Sequence, residues 1–70
     1  MNANLLRAKI IENGFTIKSF SSATGIKKNS LYRRLSGCSE FDRKEIEIIS
    51  QVLSLTSEQI YEIFFTRKVS

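Results

Sequence analysis

The sequence predicts an all-α fold of five short helices in one compact domain. Apolar residues recur at spacings of three and four along the whole chain. No stretch alternates with period two for long enough to make a strand, and there is no proline, linker or internal repeat. Glycines and capping residues fall at the junctions between the apolar stretches, where helices must stop and start.

The first helix is expected from residues 2–4 to residue 13. Leu6 and Ile10, four apart, share its buried face, with Ala3 and either Leu5 or Ile11 beside them. Thr16 is a good N-cap for a second helix, which turns Ile17, Phe20 and either Ala23 or Thr24 inward. Gly25 ends it, and Ile26 plugs the turn as an apolar residue. A third helix, from about residue 28 to 35, buries Leu31 and Leu35 and is stopped by Gly37. Asp42 and Glu45 have the D-x-x-E spacing of a capping box. They open a fourth helix whose stripe is Ile46, Ile49 and Leu53, with Phe41 as a staple residue ahead of it. Thr56 and Gln59 repeat the device before a fifth helix with Ile60, Ile63 and Phe64 inward.

Composition narrows the function. Seventy residues support one domain, residues 1–70, with little room for an enclosed catalytic cavity. No apolar run approaches the roughly 20 residues that cross a bilayer, and the start lacks a secretory signal's pattern. The single cysteine, Cys38, cannot form an internal disulfide, which fits a reducing cytoplasm. Histidine is absent, as are a cysteine pair and a glycine-rich phosphate loop. No enzyme activity, cofactor, metal or small-molecule ligand is expected. The acids of the last third sit at helix starts and on exposed faces, where the helix dipole accounts for them. A membrane-surface role is disfavoured because no helix joins a basic face to a fully apolar one.

The formal charge of +4 is unevenly placed. Residues 15–37 hold Lys18, Lys27, Lys28, Arg33 and Arg34 and no acid. Residues 38–70 hold Arg43, Lys44, Arg67 and Lys68 against Glu40, Asp42, Glu45, Glu47, Glu58 and Glu62. A polyanion would therefore feel one face of the molecule.

That block contains two short helices joined by about four residues, a geometry that makes them cross steeply and leaves the second projecting. With Leu31 and Leu35 inward, the third helix leaves Lys28, Asn29, Tyr32, Arg33 and Ser36 outside. A helix fits the major groove of B-DNA, where Arg33 can pair with guanine, Asn29 with adenine, and Lys28 with guanine or a phosphate. The rival reading is a protein-interaction module, such as an inhibitor or adaptor, using the same basic face.

The stretch TIKSFSSATGIKKNSLYRRLSG, residues 16–37, resembles the helix-turn-helix of the phage repressor and Cro family. Ser21, Gly25, Ile26 and Leu31 stand at the family's small, glycine and apolar positions, and Gly37 matches its closing glycine. The flanking NLLRAKIIENGFT and EIEIISQVLSLTSEQI are similar to the family's first helix and its fourth-to-fifth helix region, so the likeness spans the chain. The chain most resembles short prophage-encoded Cro-like members. The resemblance implies a five-helix lambda-repressor-like domain with its helix-turn-helix at about residues 17–36. It further implies a sequence-specific regulator of transcription that binds double-stranded DNA in a bacterial host's cytoplasm, near the nucleoid. Repression by occlusion is the expected mode for so short a chain.

By the same resemblance, base contacts fall on Lys28, Asn29 and Arg33, with Lys27 and Tyr32 at the edge of reach. Phosphate contacts fall on Ile17, Lys18, Ser30, Ser36 and Ser39, and Ile17 could serve only through its backbone N–H. Four positions depart from the family pattern. Ser21 replaces an alanine, Thr24 an aliphatic residue, Lys27 a serine or threonine cap, and Arg34 an apolar residue whose anchoring passes to Leu35. Tyr61, Phe64 and Phe65 are the candidate contacts of a weak homodimer, since repressor-type domains bind paired half-sites. Phe64 and Phe65 are adjacent and cannot both face inward.

Overall fold

The helices form where the apolar spacing and the caps require them. The computed structural model describes residues 1–65. It contains α1 (Ala3–Glu12), α2 (Ile17–Thr24), α3 (Lys28–Leu35), α4 (Arg43–Val52) and α5 (Ser57–Ile60). The last continues directly into one π-helical turn, Tyr61–Phe65. No strand occurs among the described residues, and no helix there is long and apolar enough to cross a membrane. Arg67 and Lys68 lie outside the described residues.

Four helix starts carry side-chain caps, each satisfying a first-turn N–H that has no partner within its helix. Asn2 Oδ1 accepts from Leu5 N at 3.1 Å. The two boxes legible in the sequence both close. Asp42 Oδ1 accepts from Glu45 N at 2.8 Å while Glu45 Oε1 accepts from Asp42 N at 2.9 Å. Thr56 and Gln59 exchange the same pair of bonds. Thr16 and Ser19 form a further box, with a serine doing the work of the usual glutamate.

One core joins α1 to α4 and the π-helical turn: Leu6, Ile10, Phe20, Ile26, Leu31, Leu35, Phe41, Ile49, Leu53 and Ile63. Phe20 sits at 0 % exposure, with the Phe15 ring edge-on at 5.5 Å. Helix α2 packs against both α3 and α4 and so supports the projecting helix. The start of α1 is tied to the π-helical turn, since Asn2 N donates to Ile63 O at 2.7 Å.

The structure resolves the open alternatives. Leu5, not Ile11, flanks the α1 stripe, and Ile11 is 72 % exposed. Thr24 is buried and Ala23 exposed. The expected fifth α-helix is shorter than its apolar spacing suggested, because it widens into the π turn after Ile60. Ile63 is fully buried there, while Ile60 and Phe64 are half-buried. Phe64 meets the Phe41 ring edge-on at 6.0 Å, which leaves Phe65 outside.

The turn between α2 and α3 is held by Ser21 and Thr24, two of the four residues that depart from the family pattern. Gly25 has φ +77°, a left-handed conformation costly for any residue with a Cβ. Thr24 Oγ1 donates to Phe20 O at 2.8 Å and accepts from the buried Ile26 N at 3.2 Å. Ser21 Oγ donates to Ile26 O at 2.6 Å. Both backbone groups of the plug residue are thus satisfied by hydroxyls of α2. Thr24→Val keeps the volume but strands the Ile26 N–H, and should cost about 1–3 kcal/mol. Thr24→Ser should lose clearly less. Urea unfolding checks this: equal midpoints for Thr24→Val and the parent would show that the hydroxyl contributes nothing.

Candidate nucleic-acid interface

Helix α3 is eight residues long, which at 1.5 Å per residue is about 12 Å. Its inner face is anchored by Leu31 and Leu35, both buried. Lys28, Asn29, Tyr32 and Arg33 are exposed, and Lys27 and Ser36 are exposed at its two ends. Asn29 and Arg33 are one turn apart, as are Lys28 and Tyr32, so the four form one outward face. This face is as long as the major groove is wide, roughly 12 Å.

Its charge is free to act outward. Among the described residues, the ion pairs are Lys9–Glu12 and Arg34–Glu45, and neither engages Lys18, Lys27, Lys28 or Arg33. A guanidinium and three ammonium groups therefore stand unneutralised on and beside α3. The fifth base of the block behaves differently. Arg34 is half-buried, with its Nε 3.0 Å from Glu45 Oε1 and its guanidinium 6.0 Å from the centre of the Phe41 ring. The Nε–H is not aimed at the carboxylate, so this is an ion pair without an aligned hydrogen bond.

The start of α3 has no side-chain cap, as the lysine at position 27 implies. Its first-turn N–H groups consequently have no acceptor within the helix. The same applies to the N–H groups of Ile17 and Lys18 at the start of α2, where Thr16 serves only Ser19. Ile17 is half-buried against the core and can offer only that backbone group, whereas Lys18 is exposed. Ser30 and Ser39 are half-buried. The Ser36 hydroxyl donates to Arg33 O at 2.9 Å and contacts Cys38 Sγ at 3.4 Å, so an incoming phosphate would compete for its proton.

The three aromatic candidates for self-association do not form one surface. Phe64 turns to the core, while Tyr61 and Phe65 are 62 % and 60 % exposed. Phe65, Ile46 and Ile60 line an open groove between α4 and the C-terminal turn, with Arg43 and Glu47 also in its wall.

Sequence reasoning missed Ser21 and Thr24 as the lock of the turn, and Arg34 as a link between helices. A hydroxyl four residues before a turn glycine, and another just before it, was the available signal for the first two. Nothing local to Arg34 marks its partner, which is on another helix.

A family model for the Cro/C1-type HTH DNA-binding domain matches residues 5–65. The comparisons with curated proteins and with solved structures give no match.

Proposed function

The chain belongs to the Cro/C1-type helix-turn-helix DNA-binding family, and from that premise we propose that it is a sequence-specific, Cro-like repressor of phage or prophage type. The observation that supports this best is the outward face of α3, where Lys28, Asn29 and Arg33 stand exposed together and neither base has an ion-pair partner among the described residues. In this reading residues 1–70 act as one domain in the host cytoplasm. Arg33 pairs with a guanine, Asn29 with an adenine, and Lys28 with a guanine or phosphate, with Lys27 and Tyr32 at the margins. Lys18, the Ile17 N–H, Ser30, Ser36 and Ser39 hold the sugar-phosphate backbone and set the register. The protein represses by covering a promoter.

Two copies would bind inverted half-sites about one helical turn apart. Tyr61 and Phe65 would supply the contact, with Phe64 as support from the core side. A two-fold axis through the groove would set Arg43 of one copy against Glu47 of the other, a self-complementary arrangement.

A salt titration tests the reading. Binding to a duplex recovered by selection should weaken steeply as salt rises, yet stay at least a thousandfold tighter than binding to random duplex, on the order usual for operators. Equal affinity for both would favour the protein-interaction reading. A reporter promoter carrying the site should be silenced by the protein, and activation would contradict the repressor role.

A further inference from the structure

Of the five bases in residues 15–37, Arg34 alone is turned into the fold, and its surroundings give it a use. Its guanidinium lies over the Phe41 ring at 6.0 Å. Its Nη1 donates to Ser30 O at 3.4 Å, one turn back along α3. Its Nε stands 3.0 Å from Glu45 Oε1, and the two side chains are only 22 % and 16 % exposed. That same Glu45 oxygen accepts the Asp42 N–H that caps α4. One side chain therefore connects the recognition helix to the start of α4 and to the loop between them.

We propose that Arg34 is a positioning residue for DNA reading: with Glu45 and Phe41 it fixes the rotation of α3, and so decides which side chains meet the bases. Leu31 and Leu35 anchor the inner face along a single line, and Arg34 adds a contact to one side of that line, where it resists rotation of the helix about its axis. At roughly 100° per residue, a roll of 20–30° moves an arginine tip on the outer face by several ångströms. That exceeds the tolerance of a bidentate hydrogen bond to a base edge. Phosphate contacts by flexible lysines tolerate such a shift. Loss of the Arg34 link should consequently spare non-specific binding and lower specificity.

The inference rests on the DNA-binding reading, and two variants separate their failures. Arg34→Met keeps an unbranched side chain over Phe41 and removes the pair. Glu45→Gln keeps an amide oxygen for the α4 cap but removes the negative charge. It also makes the protein more positive, so bulk electrostatics alone would tighten binding to every duplex. We expect both variants to lose about tenfold in the ratio of selected-site to random-duplex affinity. Glu45→Gln should hold or gain affinity for random duplex, and the salt slope on random duplex should not fall in either. Should Arg34→Met fail to fold, Glu45→Gln carries the test alone, since its cap is retained. Parental specificity that Glu45→Gln keeps would overturn the inference and leave the DNA reading standing. A salt slope lowered by about one in Arg34→Met, with both affinities falling equally, would instead make Arg34 a phosphate contact. A parent with no preference for any duplex would overturn the DNA reading and this inference with it.

Discussion

Phe20→Ala is expected to lose about 3–5 kcal/mol of stability, the range for emptying a fully buried aromatic site. A chain of seventy residues has about 4–10 kcal/mol in total, at roughly 0.05–0.15 kcal/mol per residue. One substitution thus removes around half of what holds the domain together. The site has little means of collapsing, because Phe20 lies on the central helix α2 within the shared core. The Phe15 ring would lose its edge-on partner as well. The Phe20 carbonyl also anchors Thr24, so any relaxation of α2 is passed to the turn that presents α3. Urea unfolding followed by circular dichroism should show a midpoint near or below half the parental value. Phe20→Leu, which keeps most of the volume, should cost far less. A parental midpoint for Phe20→Ala would mean that the core is not centred on α2.

Arg33→Ala should cost about 1–3 kcal/mol on the preferred duplex and relax the preference at one base pair. The residue is exposed, has no ion-pair partner among the described residues, and contributes nothing to the core. Its removal should therefore leave the unfolding midpoint unchanged. The pattern across sequences distinguishes base from phosphate contact. On a panel of duplexes substituted one base pair at a time, the variant should tolerate changes at a single position that the parent rejects. Lys18→Ala should behave otherwise, weakening all duplexes alike and lowering the salt slope by about one. If Arg33→Ala gave the Lys18→Ala pattern, Arg33 would be a backbone contact and α3 would be rotated from the orientation argued above.

Much of this was readable in the sequence because the deciding interactions are local. Capping boxes operate over three residues, so Asp42–Glu45 and Thr56–Gln59 announced themselves by spacing alone. Leu31 and Leu35 declared the buried side of α3, and with it the outward set of Lys28, Asn29, Tyr32 and Arg33. What escaped depended on longer range or on rarer geometry. Ser54 adopts φ +51°, so the end of α4 carries no glycine to signal it. The π turn at Tyr61–Phe65 changes the facing of Phe64 and Phe65, which an ideal 3.6-residue period cannot anticipate. Ser21 and Thr24 replace an alanine and an aliphatic residue of the family pattern, and only the fold shows that their hydroxyls serve the backbone of Ile26. Arg34 stands at a position apolar in the family pattern, but its partner Glu45 is on another helix and only the fold brings the two together.

Selection of binding sites by the parent protein from a fully randomised duplex pool tests the central claim, that the outward face of α3 reads DNA sequence. The account predicts convergence on one sequence arranged as two inverted half-sites about one helical turn apart, each containing guanine and adenine within reach of Arg33 and Asn29. A pool that emerges as random as it entered would contradict it.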